Sequence, residues 1–78
     1  MMSTIIKHQR HQIIHDRLNR FKNTCVPTQE LQNLCNASIR TIKSDIAYMR
    51  NNYDAPIKYD RYQKGYYYDD LFEMPINF

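Results

Sequence analysis

A chain of 78 residues and 9.5 kDa forms at most one small domain with a thin core, which excludes a multidomain protein and a deep catalytic cavity. Its 42% hydrophobic and 24% charged residues exclude an intrinsically disordered chain, and the longest apolar run, four residues, predicts neither a membrane span nor a secretory signal. Residues 1–68 hold all eleven Lys and Arg but only five of the eight acids, so a basic body precedes an acidic end. This asymmetry favours a polyanionic partner.

The first part of the chain predicts a helix. Apolar residues and arginines recur at three- and four-residue steps from Ile6 to Phe21, and neither Gly nor Pro interrupts residues 1–26. The polar residues 22–24 are expected to end this helix. Cys25 and Cys35 lack C-x-x-C spacing, which favours free thiols, packed as small hydrophobes, in a cytoplasmic protein, with one disulfide between them as the alternative.

A second, short helix is expected after Pro27. Thr28 can cap it with its side-chain hydroxyl, and Leu31 and Leu34 would face the core. Asn36 tolerates the left-handed backbone that a tight turn after this helix requires.

The third helix separates two faces. Ser38 is its expected N-cap, and the helix should run from about Ile39 to Asn51 or Asn52. At about 100° per residue, one stripe is aliphatic and faces the core: Ile42, Ile46 and Met49, flanked by Ile39. The opposite face is small, polar and basic: Arg40, Ser44, Ala47 and Asn51, flanked by Thr41, Lys43 and Tyr48.

The last third of the chain predicts a β-hairpin. Residues 55–60 and 65–69 alternate with a period of two and are rich in Tyr and Ile, and the polar, basic residues 61–64 lie between them, before the only glycine of the chain. The apolar residues 71–78 form a separate C-terminal tail, the start of a linker or a dimer contact. Either the tail folds back on its own hairpin and first helix, or it packs against a second copy of the chain, which is the favoured alternative.

The predicted elements of residues 1–70 follow the order of an α+β winged helix-turn-helix: a helix, a short helix, a tight turn, a helix and a hairpin. Residues 38–46 read Ser-Ile-Arg-Thr-Ile-Lys-Ser-Asp-Ile and resemble the recognition helix of DeoR-type winged helix-turn-helix domains. Together with Ala-Pro-Ile-Lys-Tyr-Asp at 55–60 and Gly-Tyr-Tyr-Tyr at 65–68, the chain is similar to the N-terminal domain of bacterial WYL-domain transcriptional regulators.

That resemblance implies sequence-specific binding of double-stranded DNA by a bacterial transcription regulator. The recognition helix, about residues 38–52, would enter the major groove, and the wing, about residues 57–68, would contact the backbone. Ser44 stands where the family usually has arginine, so the preferred site is expected to differ. Such regulators continue into a sensor domain, and the resemblance therefore implies nothing about an effector.

The expected DNA contacts come from the third helix, its surroundings and the hairpin loop: Thr28, Ser38, Arg40, Thr41, Lys43, Ser44, Tyr48, Arg61, Tyr62 and Lys64. Arginine can bind guanine O6 and N7 with two hydrogen bonds, whereas hydroxyls at a helix N-terminus and loop cations suit phosphates. The alternative for each residue is a solvated surface position.

Other charged residues have structural interpretations. Asp45 lies beside the buried stripe and is expected to pair with Arg10 or Arg17, which would hold the first helix against the third. Three histidines, His8, His11 and His15, share one side of the first helix. A solvated or phosphate-contacting flank is favoured there over a zinc or nickel site, because no further ligand stands at matching spacing.

No catalytic constellation is recognisable. The sequence has no nucleophile elbow, glycine-rich loop or paired carboxylates, so neither enzymatic activity nor a cofactor nor a small-molecule ligand is expected. The alternative function of a different class is a winged helix that acts as a protein-interaction module and docks its basic face on an acidic partner.

Overall fold

The structure, a computed structural model, describes residues 6–20 and 24–74. The elements follow in the order α1 (Lys7–Arg20), β1 (Val26–Pro27), α2 (Thr28–Cys35), α3 (Ile39–Tyr53), β2 (Ile57–Asp60) and β3 (Gly65–Tyr68). Three helices and a three-stranded antiparallel sheet of order β1-β3-β2 make a small α+β fold, as predicted at that level. The predicted end of the first helix, residues 22–24, lies mostly outside the described residues. None of the helices described reaches the length and apolarity that a membrane crossing requires.

The connection between α2 and α3 follows from local residue preferences. Asn36 adopts the left-handed conformation at φ 50° and ψ 51°, and Ala37 N–H donates to the Gln32 carbonyl at 3.0 Å. Ser38 caps α3, because its hydroxyl oxygen accepts the Thr41 N–H at 3.2 Å. Both predictions are confirmed, and three residues, 36–38, suffice to join the two helices.

The predicted cap of α2 is wrong. Pro27 is the N-cap, no side chain caps the helix, and Thr28 is its first residue. The reason is tertiary, because the Thr28 hydroxyl donates to the Lys64 carbonyl in the hairpin loop instead. Leu34 was also predicted to face the core, but it is 44% exposed, while Leu31 is fully buried.

The core forms where the helices meet the sheet. The aliphatic stripe of α3 is confirmed, since Ile42, Ile46 and Met49 are at most 1% exposed. They belong to one buried cluster with residues from every other element: Ile14, Leu18, Val26, Leu31, Cys35, Ala55, Ile57, Tyr66 and Tyr68. The cysteines described, Cys25 and Cys35, are both free thiols, the first half-buried and the second buried.

The predicted hairpin pairs Ile57 with Tyr68 and Asp60 with Gly65. The structure adds β1, which no sequence pattern indicated and which pairs Val26 with Tyr66 on the other side of β3. Gly65 is required by this close approach, because a Cβ atom there would lie 2.4 Å from the Val26 carbonyl oxygen. The positive φ of the loop, 57°, belongs instead to Lys64.

The described part of the C-terminal tail packs on the same chain. The Phe72 ring lies 5.6 Å from the Tyr68 ring and 5.7 Å from the His15 ring, between centroids. Met74 also packs against the core, whereas Leu71 is 73% exposed. Residues 75–78 of the predicted tail lie outside the described residues.

Candidate nucleic-acid interface

The outward face of α3 is basic and carries no exposed carboxylate. Arg40, Lys43 and Ser44 are exposed, as are Ala47 and Asn51 farther along the helix. Asp45, the only acidic residue within α3, is 2% exposed and turned to the core. A polyanion approaching this face therefore meets cations and small polar groups without a repelling charge from the helix itself.

The N-terminal end of this face is ordered by its cap. The exposed Ser38 hydroxyl donates to the Thr41 hydroxyl oxygen at 3.2 Å while accepting the Thr41 N–H. The Thr41 hydroxyl proton is then directed to a group other than Ser38. This suits the predicted phosphate contact at the start of α3.

Tyr48, predicted to contact DNA, is half-buried and packed by its own chain. Its ring stacks on His11 at 5.1 Å and meets the Tyr53 ring edge-on at 5.5 Å. The Lys7 ammonium lies 3.7 Å from the ring centroid, which is a cation–π contact. The observed role of Tyr48 is therefore to join the start of α1 to the outward side of α3.

The predicted pairing of Asp45 is confirmed with Arg10 as its partner. Arg10 Nε donates to Asp45 Oδ2 at 2.6 Å, and Nη2 donates to Oδ1 at 3.1 Å. This hydrogen bonding raises the pKa of Arg10 above its ordinary value. The other candidate, Arg17, pairs instead with Glu30 in α2. Arg10 and Arg17 thus fasten α1 to two different helices of the candidate interface.

The histidine prediction is wrong for two of the three residues. His11 is 0% exposed and His15 is 8% exposed, so neither forms a solvated or phosphate-contacting flank, and only His8 is exposed. Nδ1 of His11 lies 3.1 Å from the Tyr53 hydroxyl, and Nδ1 of His15 lies 2.7 Å from the Tyr68 hydroxyl. Burial lowers the pKa of both imidazoles, because it penalises the charged form. Among the described residues, no group of three or more potential ligands could hold a metal ion.

The hairpin loop exposes basic side chains, and the Asp60 carboxylate orders its backbone. Asp60 Oδ1 accepts the N–H groups of Tyr62 at 2.8 Å and Gln63 at 3.1 Å, which lowers the pKa of Asp60. Tyr62 is 89% exposed, and Arg61 and Lys64 on its two sides are exposed as well. These three predicted contact residues therefore share one ordered loop.

Thr28 is the predicted contact that the structure places inside the protein. It is 8% exposed, and its hydroxyl donates to the Lys64 carbonyl at 3.1 Å. Because Thr28 is buried and its hydroxyl proton is donated to the Lys64 carbonyl, the side chain offers no hydrogen-bond donor to the outside. It links two regions of the candidate interface instead of forming part of the surface.

Two more residues lie at the junction of α3 and the hairpin: Arg50, whose charge suggested a contact with the DNA backbone, and Tyr59, which sequence reasoning missed. Arg50 Nε donates to the Ile57 carbonyl at 2.9 Å, and its guanidinium carbon lies 6.0 Å from the Tyr66 ring centroid. Tyr59 is 47% exposed, with its ring 5.0 Å from that of Tyr66. The alternation of residues 57–60 already put Tyr59 on the same sheet face as Ile57, but only the pairing of Tyr59 with Tyr66 brings the two rings together.

Comparison of the chain with protein-family models, with curated proteins and with solved structures finds no match. The function is therefore inferred from the residues of the chain and their arrangement.

Proposed function

We propose that this chain is a winged helix-turn-helix that binds double-stranded DNA, as the DNA-binding domain of a bacterial transcription regulator of the DeoR and WYL type. In this proposal α2 and α3 are the helix-turn-helix pair, α3 enters the major groove, and the β2–β3 hairpin is the wing. The observation that carries the proposal is the outward face of α3, basic and without an exposed carboxylate, directly after a turn of three residues from α2.

The residues of α3 would then divide between reading bases and contacting the backbone. Arg40 is exposed in the first turn, where the recognition helix of a helix-turn-helix meets base edges. Its guanidinium group can donate two hydrogen bonds, to guanine O6 and N7. Lys43 lies beside it as a flexible point charge suited to phosphate. Ser38 and Thr41 support a phosphate at the helix N-terminus.

The hairpin loop would supply sequence-independent affinity. Arg61 and Lys64 are exposed cations, and the Tyr62 hydroxyl can donate to a phosphate. The acids that follow the hairpin in the sequence, Asp69, Asp70 and Glu73, are exposed. Since they repel a duplex, the DNA should approach the molecule away from them.

Specific binding by such a small domain calls for two copies on paired half-sites, and a homodimer is part of the proposal. Leu71, which is 73% exposed next to the packed Phe72, is the candidate contact. Sedimentation of the chain and of its Leu71→Ser variant tests this point, with loss of dimer expected in the variant. Equal behaviour of two monomers would remove the homodimer from the proposal.

Duplex binding is tested by fluorescence anisotropy with a synthetic duplex at increasing salt. Non-specific affinity of about 10⁻⁴–10⁻⁶ M near physiological salt is expected, and log affinity should fall linearly with log salt, because bound phosphates release counterions. Selection from a random duplex pool then gives the preferred site. An affinity indifferent to salt would contradict DNA binding and favour the protein-interaction module.

Two variants distinguish base recognition from contact with the DNA backbone. Arg40→Ala should relax the preference at the base pairs it reads and cost about 1–3 kcal/mol on the selected site. Lys64→Asn should weaken all duplexes alike and reduce the salt slope by about one unit, while Asn keeps the left-handed backbone of that position. Arg20→Ala, which removes an exposed arginine from α1, is the matched control. A sequence-blind effect of both variants would contradict the assignment of α3 as the recognition helix.

A further inference from the structure

We propose that Ile39 recognises the 5-methyl group of a thymine in the major groove, as a specificity-determining residue beside Arg40. This inference rests on the proposed function, because it assigns a base to the same end of the proposed recognition helix. It concerns Ile39 as the one exposed large aliphatic residue of α3.

The exposure of Ile39 is unlike that of the other aliphatic residues of its helix. Ile42, Ile46 and Met49 are 0%, 1% and 0% exposed, whereas Ile39 is 45% exposed. The sequence pattern places Ile39 at the edge of the buried stripe, so its side chain was expected to pack partly inward. In the folded chain it instead leaves much of its surface to solvent at the first position of α3.

The position of Ile39 is well defined. It follows the Ser38 cap directly and precedes Arg40, and the left-handed Asn36 sets the direction in which α3 leaves the turn. A β-branched side chain has few rotamers in a helix, so its contact surface is preorganised. Ile39 and Arg40 therefore stand next to each other at the end of α3 that would meet base edges.

The chemistry of the major groove leaves one apolar target for such a side chain. Apart from ring C–H groups, the other groups on the base edges there are hydrogen-bond donors or acceptors, and the thymine methyl is the one bulky apolar group. Ile39 has no polar atom to satisfy those donors and acceptors. A thymine next to the base pair read by Arg40 is thus the base that fits the pair of residues.

The experiment uses the full chain and a synthetic duplex carrying the site selected from the random pool. Each thymine of the site is replaced in turn by uracil, which differs only in lacking the methyl group. For the unchanged protein, we expect one replacement near the Arg40-dependent base pair to weaken binding about fourfold, the effect of one buried methyl group. Ile39→Ala should bind the thymine and uracil duplexes equally well.

The matched control is Leu34→Ala, since Leu34 is an equally large aliphatic residue in α2 with nearly the same exposure, 44% against 45% for Ile39. That variant should keep the thymine preference of the unchanged protein. The proposal is overturned if Ile39→Ala retains the preference, if the preference is lost in Leu34→Ala, or if no uracil replacement affects the unchanged protein. Absence of any salt-dependent duplex binding would instead overturn the proposed function, so the two failures are distinguishable.

Discussion

Thr28, the first residue of α2, donates both its backbone N–H and its hydroxyl to the carbonyl of Lys64, at 3.1 Å in each case. Lys64 is the last residue of the hairpin loop, and the adjacent Gly65 pairs with Pro27 of β1. The start of α2 and the hairpin are therefore fastened together at one point. In the proposed DNA complex, this contact would set the position of the wing relative to the helix pair.

Removing the Thr28 hydroxyl should weaken that connection. Thr28→Val keeps the shape and the backbone N–H bond but loses the second donor, so a loss of about 0.5–1.5 kcal/mol in the free energy of unfolding is expected. Thr28→Ser keeps the hydroxyl and is the control for the loss of the hydrogen bond. Urea unfolding measures both variants, and a Val variant as stable as the Ser variant would show that the hydroxyl contributes nothing.

Gly65→Ala should be destabilising for a steric reason. The added Cβ would lie 2.4 Å from the Val26 carbonyl oxygen and 2.6 Å from Cys25 Sγ. The Val26 backbone cannot move away without breaking the pairing of β1 with β3. Overpacking of this kind costs about 1–3 kcal/mol. In a domain this small, each kcal/mol lost lowers the melting temperature by about 4–8 °C. Arg61→Ala, which changes an exposed side chain of the same loop, is the control. An unchanged melting temperature in Gly65→Ala would contradict the close approach of β1 and β3.

The two partners of the Arg10–Asp45 pair should be unequal in their effects. Arg10→Met leaves the Asp45 side chain, 3% exposed, without its main partner, whereas Asp45→Asn leaves the Arg10 side chain, 20% exposed, with access to water. We expect a loss of about 3–5 kcal/mol for Arg10→Met and a smaller one for Asp45→Asn. Arg20→Met, an exposed arginine on the same helix, should change stability by no more than about 0.5 kcal/mol.

Urea unfolding of these three variants and the parent provides the comparison. If Arg10→Met and Asp45→Asn lose the same free energy of unfolding, the burial of the carboxylate does not decide the size of the effect. A loss in Arg20→Met as large as that in Arg10→Met would place the effect in α1 as a whole instead of in the pair.

The buried histidines make stability depend on pH in a defined direction. Burial lowers the pKa of His11 and of His15 in the folded chain, so near and below the unfolded pKa of about 6.5 the unfolded state binds more protons than the folded state. Their contribution is therefore fully present above about pH 6.5 and is lost as the pH falls toward the folded pKa values.

The free energy of unfolding should decrease as the pH falls from about 6.5 to about 5.5, with a slope of at most about 1.4 kcal/mol per pH unit for each histidine. Urea unfolding at several pH values measures this slope. His15→Gln should reduce it, and Asn19→Gln, which changes an exposed uncharged residue of the same helix, should leave it unaltered. A stability that rises on acidification through this range would contradict the burial of neutral imidazoles.

The sequence by itself determined the features that depend on neighbouring residues. The left-handed Asn36, the Ser38 cap and the buried stripe of α3 all follow from local backbone preferences and helical periodicity. The hairpin was also predictable, because two segments rich in strand-favouring Tyr and Ile flank a short polar loop that ends at glycine. The basic outward face of α3 follows from the same periodicity, so most candidate contact residues were identified without the structure.

Only the tertiary structure decided the features that join distant parts of the chain. The Thr28 hydroxyl bonds to a residue 36 positions away, and His15 bonds to a tyrosine 53 positions away. β1 is a pair of residues with no pattern of its own, and it exists because β3 offers an open edge beside it. A local pattern states which residue types can be buried, but whether a histidine or threonine is buried depends on a partner that the fold brings within hydrogen-bond distance.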